Sequence, residues 1–376
     1  MSNIDFIILY TFLFGAFALI AFARQRYIDK NYWNYLSLFV ILFTLIIGLR
    51  YGWGNDYLSY KYRMQHPQGD EDEFYGLTNT FLSCIGFNYV MTYMLYAFLL
   101  VTSVFKLVRN FPYNKYMLAL FLPAMFFIGT STIRQGFATS FLLLGMAYIY
   151  ERKWIKAVIA ILLSVNIHTA ILIPMSLFVG FYALSLVWKK PLPLIIVLPL
   201  YIVVSFSTDA VSSWFVGNFA SSFDWLSNFG KFESYADRSS YWFGEEGLSD
   251  IYEQSTFALI LSTLFQSSYI YIAYKAINIE KNSRNIIYLY NSTVLGLFIL
   301  RIGMLLEIIH RIGDTMFAFY FIPLGFAFST YRSHWNTLKK KDRYLFVLSL
   351  VFILSYLILY YGRFILMSPG YGFVWN

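Results

Sequence analysis

Twelve apolar runs dominate this sequence, most of them close to the length that crosses about 30 Å of hydrocarbon. They fall at 4–23, 33–49, 88–107, 116–130, 133–150, 155–170, 171–187, 191–207, 256–275, 286–302, 312–330 and 344–361. The composition agrees, with 59% hydrophobic, 22% aromatic and only 13% charged residues. Soluble domains carry about 25% charge, and a chain this apolar cannot cover its own surface in water. The expected fold class is an all-α polytopic membrane protein of about 12 transmembrane helices. It forms a single transmembrane domain over 1–376 with amphipathic outer loops. Soluble nucleic-acid binding, coiled coil and disorder are excluded.

Residues 1–23 end in Ala21-Phe22-Ala23, which mimics a leader cleavage site. The segment before the apolar run carries no positive charge, and the run is long for a leader, so it is read as a retained first span. Residues 74–87 are too short and mixed to cross, and are expected to lie in the interface.

Charge asymmetry sets the orientation. One set of loops holds Arg24, Arg26, Lys30, Lys106, Arg109, Lys115, Arg152, Lys153, Lys156, Lys189, Lys190, Lys275, Lys281, Arg284, Arg332, Lys339, Lys340, Lys341 and Arg343, nineteen of the 28 basic residues. That side is assigned to the cytoplasm. The opposite side, periplasmic or extracellular, carries the long loops 50–87 and 208–255, which form the expected substrate-binding surface. The cytoplasmic loops contain no phosphate-binding glycine motif, so ATP is not the expected fuel. The one cysteine, Cys84, and four scattered histidines argue against a disulfide framework or a metal site. No metal and no cofactor is expected.

The outer side has few cations, and they stand at span ends. Arg50 ends span 2, Arg134 opens span 5, and Arg301 and Arg311 flank the turn 302–311. Snorkelling or acid pairing accounts for any one of them; Glu307 and Arg311, spaced i, i+4, make such a pair. Four at one level suggest a shared anionic ligand, a lipid-linked phosphate or diphosphate, because guanidinium forks match phosphate oxygens and stay charged. The 133–168 segment reads as a helical hairpin. Arg134 lies about 17 residues and His168 about 14 residues from its turn, so both reach nearly the same height. A neutral imidazole beside Arg134 suits a general base.

The first outer loop brings Gly52-Trp53-Gly54-Asn55-Asp56-Tyr57, then Tyr60. A carboxylate among flat aromatic rings is how sugars are commonly held; an interfacial aromatic belt is the other reading. Glu73, next to the amphipathic stretch, is the member of the acidic run 70–73 expected to be buried. Loop 208–255, with Tyr235 and Trp242 among many aromatics, reads as a lid on the bilayer or a glycan platform.

Arg50 followed by Gly54-x-Asp56-Tyr57-x-x-Tyr60, then Glu73-Phe74-Tyr75, Ile133-Arg134-Gln135-x-x-Ala138, His168-Thr169-Ala170 and Arg311-x-x-Asp314 leading to Tyr320 and Pro323 resemble the EpsG-type branch of the Wzy family. These are polymerases of bacterial O-antigen (lipopolysaccharide), capsule and exopolysaccharide. The resemblance implies a membrane fold like type C glycosyltransferases. It also implies a transferase joining undecaprenyl-diphosphate-linked oligosaccharide repeat units, with such units as donor and acceptor and a chain-length regulator as partner. Arg50, Arg134, Gln135, Arg301 and Arg311 would hold the diphosphate. Asp56 or His168 would act as the base, with Arg134 at the reacting centre. Trp53, Tyr57, Tyr60, Glu73, Tyr235 and Trp242 would meet sugar. A lipid-linked oligosaccharide flippase, an O-antigen ligase and a membrane acyltransferase are the competing readings.

Overall fold

The computed structural model describes residues 12, 15–16, 18–52, 57–65, 73–112, 114–130, 132–208, 210–211, 214, 255–280, 284–305, 307–366 and 372–373. Helices account for nearly all of them. Asp56, Trp53, Tyr235 and Trp242 lie outside the described residues, as does most of loop 208–255. Among the described residues, six segments are long and apolar enough to cross a membrane: Tyr89–Val108, Thr169–Val187, Thr256–Ile279, Arg284–Ile302, Ile309–Ser333 and Lys340–Tyr360. Shorter apolar helices cover Tyr32–Gly48, Trp154–Ile167 and Leu194–Phe206. The protein is an all-α, multi-pass membrane protein.

Contacts divide the chain into two compact units. The first comprises Met1–Leu172 with Tyr360–Asn376, the second Ile173–Leu359.

The first unit contains α1 (Gln25–Lys30), α2 (Tyr32–Gly48), β1 (Arg50–Tyr51), α3 (Tyr57–Gln65), α4 (Glu73–Cys84), α5 (Tyr89–Val108), α6 (Lys115–Thr130), α7 (Ile133–Tyr150) and α8 (Trp154–Ile167). β1 pairs antiparallel with β2 (Gly372–Phe373), Arg50 opposite Phe373. The stretch 74–87, expected in the interface, begins as the twelve-residue helix α4 and is too short to span. Asn88 starts α5, its side-chain oxygen accepting from the Met91 amide at 3.0 Å. α5 then packs against α2 and α7. Glu151 ties the α7–α8 turn down through Lys153 at 2.6 Å and Lys106 of α5 at 3.1 Å. Burial raises the Glu151 carboxyl, but the hydrogen bonds from the two lysines outweigh it and hold it below its ordinary value.

The second unit contains α9 (Leu172–Val187), α10 (Leu194–Phe206), α11 (Thr256–Ile279), α12 (Arg284–Ile302), α13 (Glu307–Phe317), α14 (Phe321–Ser333) and α15 (Lys340–Leu366). Leu172 of α9, and α15 from Tyr360, fall in the first unit. α11 packs on α10 and α14, and Phe265 of α11 stacks on Tyr356 of α15 with ring centroids 4.4 Å apart.

The closest helix pair of this unit is α12 with α13. They are joined by one 3-10 turn, Gly303–Leu305. This corrects the expected turn at 302–311, because the helix resumes at Glu307. The tight return depends on two glycines. A Cβ on Gly313 would meet the Leu300 backbone nitrogen at 2.4 Å, and one on Gly303 would meet the His310 nitrogen at 2.5 Å. The register is therefore 300 against 313 and 303 against 310, the backbone-level approach that small residues allow between membrane helices. Gly313→Leu is expected to pry the hairpin apart and cost about 2–3 kcal/mol. Thermal unfolding of the detergent-purified variant checks this, and an unchanged midpoint contradicts the register.

Candidate functional site

In the first unit the hairpin of α7 and α8 fixes Arg134 and His168. The Ser164 hydroxyl donates to the Ala138 carbonyl at 2.7 Å. Ala138 lies four residues after Arg134, and Ser164 four before His168. Both site residues therefore stand one turn, about 6 Å, beyond this cross-link at the same end of the pair. Arg134 and Gln135 occupy the first turn of α7 and are buried, with Arg134 8% exposed. His168 is the C-cap of α8, in extended backbone, and leads into the 3-10 turn Thr169–Ile171, which contacts α7. A cation is disfavoured at a helix N-terminus by the macrodipole. A guanidinium beside the positive end of the helix makes the α7 start a place that favours an anion.

Arg50 differs from its expected role. It is 1% exposed. Its guanidinium lies 5.6 Å from the centroid of Tyr57 and 5.1 Å from that of Tyr93, and it donates to the Ile47 carbonyl. The cage is locked by hydroxyls: Tyr57 donates to the Arg50 carbonyl at 2.9 Å, and Tyr93 to the Tyr57 carbonyl at 3.1 Å. Burial pushes the Arg50 guanidinium down to about 10, so it stays charged at neutral pH.

Tyr57 and Tyr60, expected to stack on sugar, are instead interior residues, 0% and 8% exposed. The Tyr57 ring is taken by Arg50 and Tyr93, and the Tyr60 ring sits 5.7 Å from that of Tyr75. The reason is composition: in a chain with 33 tyrosines, many must be buried, and a buried hydroxyl such as that of Tyr57 takes up a backbone carbonyl. Tyr51, next to Arg50, is the exposed ring, with the Lys61 ammonium 4.7 Å from its centroid. Glu73 is the first residue of α4.

Arg50 and the first turn of α7 meet at a cavity of about 10 Å³, room for a single water. Tyr93, Tyr96, Ile133, Gly136 and Phe137 line it with Arg50. Ile133, Gly136 and Phe137 thus bring the start of α7 to Arg50. A space this small lets Arg50 brace that turn.

In the second unit Arg301 closes α12 and is 3% exposed. Its Nε donates to the Tyr201 hydroxyl at 3.0 Å. Its Nη2 donates to Ser262 Oγ and Gln266 Oε1, both at 2.7 Å. Tyr201 in turn donates to Gln266. One guanidinium thereby joins α10, α11 and α12. Tyr201, Ser262 and Gln266 escape a reading of the sequence because each sits singly inside an apolar run. Arg311 falls in the second turn of α13 and is half-buried. The side chain of Glu307, its expected partner, lies outside the described residues; on the same helix His310 Nδ1 lies 3.3 Å from Asp314 Oδ2.

A family model described as the EpsG family matches residues 33–374. The chain belongs to the EpsG family. No curated protein and no solved structure shows significant similarity to it. The match spans both units and every described site residue of this EpsG-family chain. EpsG membership indicates a polysaccharide polymerase-like, glycosyltransferase-type role in the membrane.

Proposed function

We propose that this EpsG-family protein polymerises polysaccharide by joining undecaprenyl-diphosphate-linked oligosaccharide repeat units, on the periplasmic or extracellular face of the bacterial inner membrane. The observation that carries the reading is Arg134 with Gln135 in the first turn of α7, level with His168 and braced by the Arg50 cage. In the reaction the anomeric C1–O bond to the donor diphosphate breaks as an acceptor hydroxyl bonds to C1. Negative charge grows on the departing diphosphate, where a preorganised guanidinium helps most. Arg134, with Gln135 beside it, is the group assigned to that charge, and Arg50 braces its turn. The leaving group is already activated, so no nucleotide enters.

A fold like type C glycosyltransferases and a chain-length regulator as partner belong to the same proposal. The basic turns 108–115, 150–154 and 333–340 lie at the opposite helix ends from Arg134 and Arg301, which supports an outward-facing site. In the described spans the charged residues stand within a turn or two of the helix ends. A flippase needs cations along both halves of the membrane, so surface chemistry is the better reading.

Cells lacking the protein are expected to lose long polymer and to accumulate single lipid-linked repeat units exposed on the outer leaflet. Gel analysis of polymer length with lipid extraction checks this. Polymer of normal length in those cells, or single units trapped on the cytoplasmic leaflet, contradicts the proposal.

A further inference from the structure

We infer that the groove at the end of the first apolar run is a binding site for an anionic phospholipid, with the lipid phosphate at Arg24 and an acyl tail along Ala18, Leu19 and Phe22. The site lies wholly within the first unit and does not depend on the transferase reading.

The groove follows from how the run stops. Residues 18–22 are helical, and the chain leaves the helix at Ala23 and Arg24 before α1 begins. The Ala23 amide bonds to the Ile20 carbonyl at 3.3 Å, one residue short of its α-helical partner Leu19. The Leu19 carbonyl accepts instead from the Tyr35 hydroxyl of α2 at 3.1 Å. Lys115 Nζ donates to the Ala23 carbonyl at 3.0 Å, and Gln25 Nε2 to Asn114 Oδ1 at 3.0 Å. The bend is therefore fixed from α2 and from the start of α6. It holds a groove of about 520 Å³, lined by Ala18, Leu19, Phe22, Arg24, Tyr27 and Tyr35. That volume falls in the range that takes ligand-sized groups.

The lining changes character along its length. At one end Leu19 is 63% and Phe22 87% exposed, a surface for acyl chain and not for water. Tyr27 and Tyr35 come next, edge to face with centroids 5.4 Å apart, the kind of amphipathic ring that sits at headgroup level. The other end is cationic. Arg24 belongs to the lining, and Arg26 and Lys30 follow it on the exposed side of α1. They face one carboxylate in this segment, Asp29, whose Oδ1 already accepts from Gln25 Nε2 at 2.7 Å. Among the described residues no ion pair takes up Arg24, Arg26 or Lys30. A guanidinium fork matches phosphate oxygens, and basic pockets beside membrane helices favour anionic headgroups. A zwitterionic lipid would bring its own cation against these three, so the charge selects an anionic one.

The test strips the purified full chain of lipid in detergent and adds phosphatidylglycerol or phosphatidylcholine, with bound lipid counted by native mass spectrometry. A phosphatidylglycerol carrying a photoreactive group on its tail then maps the contact by cross-linking. Wild type is expected to hold phosphatidylglycerol at least about fivefold more tightly than phosphatidylcholine, less so at high salt, with tail cross-links in residues 18–35. Arg24→Gln is expected to weaken phosphatidylglycerol about fivefold and leave phosphatidylcholine unmoved. Arg24 is exposed, so its unfolding midpoint should match wild type. Ala18→Phe, which fills the groove, is expected to remove the cross-links by a separate route. Equal retention of the two lipids by wild type overturns the site, as does a folded Arg24→Gln protein that keeps its phosphatidylglycerol. Cross-links that fall elsewhere, or that survive Ala18→Phe, overturn the groove. Displacement of the lipid by tail-free glycerol phosphate at equal concentration overturns the lipid assignment, because it makes this an anion site alone.

Discussion

Arg301→Ala is expected to destabilise the protein by roughly 2–4 kcal/mol and to abolish polymer. The magnitude follows from what the guanidinium leaves behind. Ser262 Oγ loses a donor at 2.7 Å, Gln266 Oε1 another at 2.7 Å, and the Tyr201 hydroxyl one at 3.0 Å. All lie in buried positions where water cannot replace the lost donor, and each such orphan costs about 1–3 kcal/mol. Tyr201 still donates to Gln266, so the total falls short of three full penalties. Three helices lose a common anchor, and the end of α12 that leads into the α13 hairpin loosens. Arg301→Lys keeps charge but loses the fork, so it is expected to recover only part of the stability. Unfolding midpoints in detergent together with polymer gels check both variants. An Arg301→Ala protein with wild-type stability contradicts the bracing role.

The second large effect concerns activity without stability. Arg134→Ala is expected to cut polymer formation at least about 10²–10³-fold, the scale of losing one preorganised donor to a developing anion. Protein level and single lipid-linked units should remain. Arg134 sits where helix polarity disfavours a cation, so removing it relieves a local electrostatic cost even as it removes the charge assigned to the diphosphate. A loss of polymer through misfolding would show as a lost membrane-extracted peak. Normal polymer length in a well-folded Arg134→Ala protein contradicts the diphosphate role.

The contrast between these two arginines also shows what the sequence could reveal. Span positions were legible because apolar runs of about 20 residues have few other uses; α7 at Ile133–Tyr150 and α5 at Tyr89–Val108 fall where the runs do. The shared level of Arg134 and His168 was legible because helical rise fixes height once both helices of a hairpin are known. Depth of burial was not. Arg50, Tyr57 and Tyr60 look like a surface loop when read as a string, yet Arg50 and Tyr57 close into a cage with Tyr93 and Tyr60 packs on Tyr75, because a tyrosine hydroxyl can cap a carbonyl and its ring can cover a guanidinium. The α12–α13 turn was misjudged because Gly303 and Gly313 act through a contact between two backbones, which no local pattern encodes.

The most direct measurement takes the purified chain in sealed proteoliposomes with a synthetic undecaprenyl-diphosphate-linked repeat unit, no nucleotide, and product length read by gel and mass spectrometry. The account predicts a ladder of longer lipid-linked glycans with release of undecaprenyl diphosphate. Transfer of the unit across the bilayer with no product longer than one repeat would contradict it.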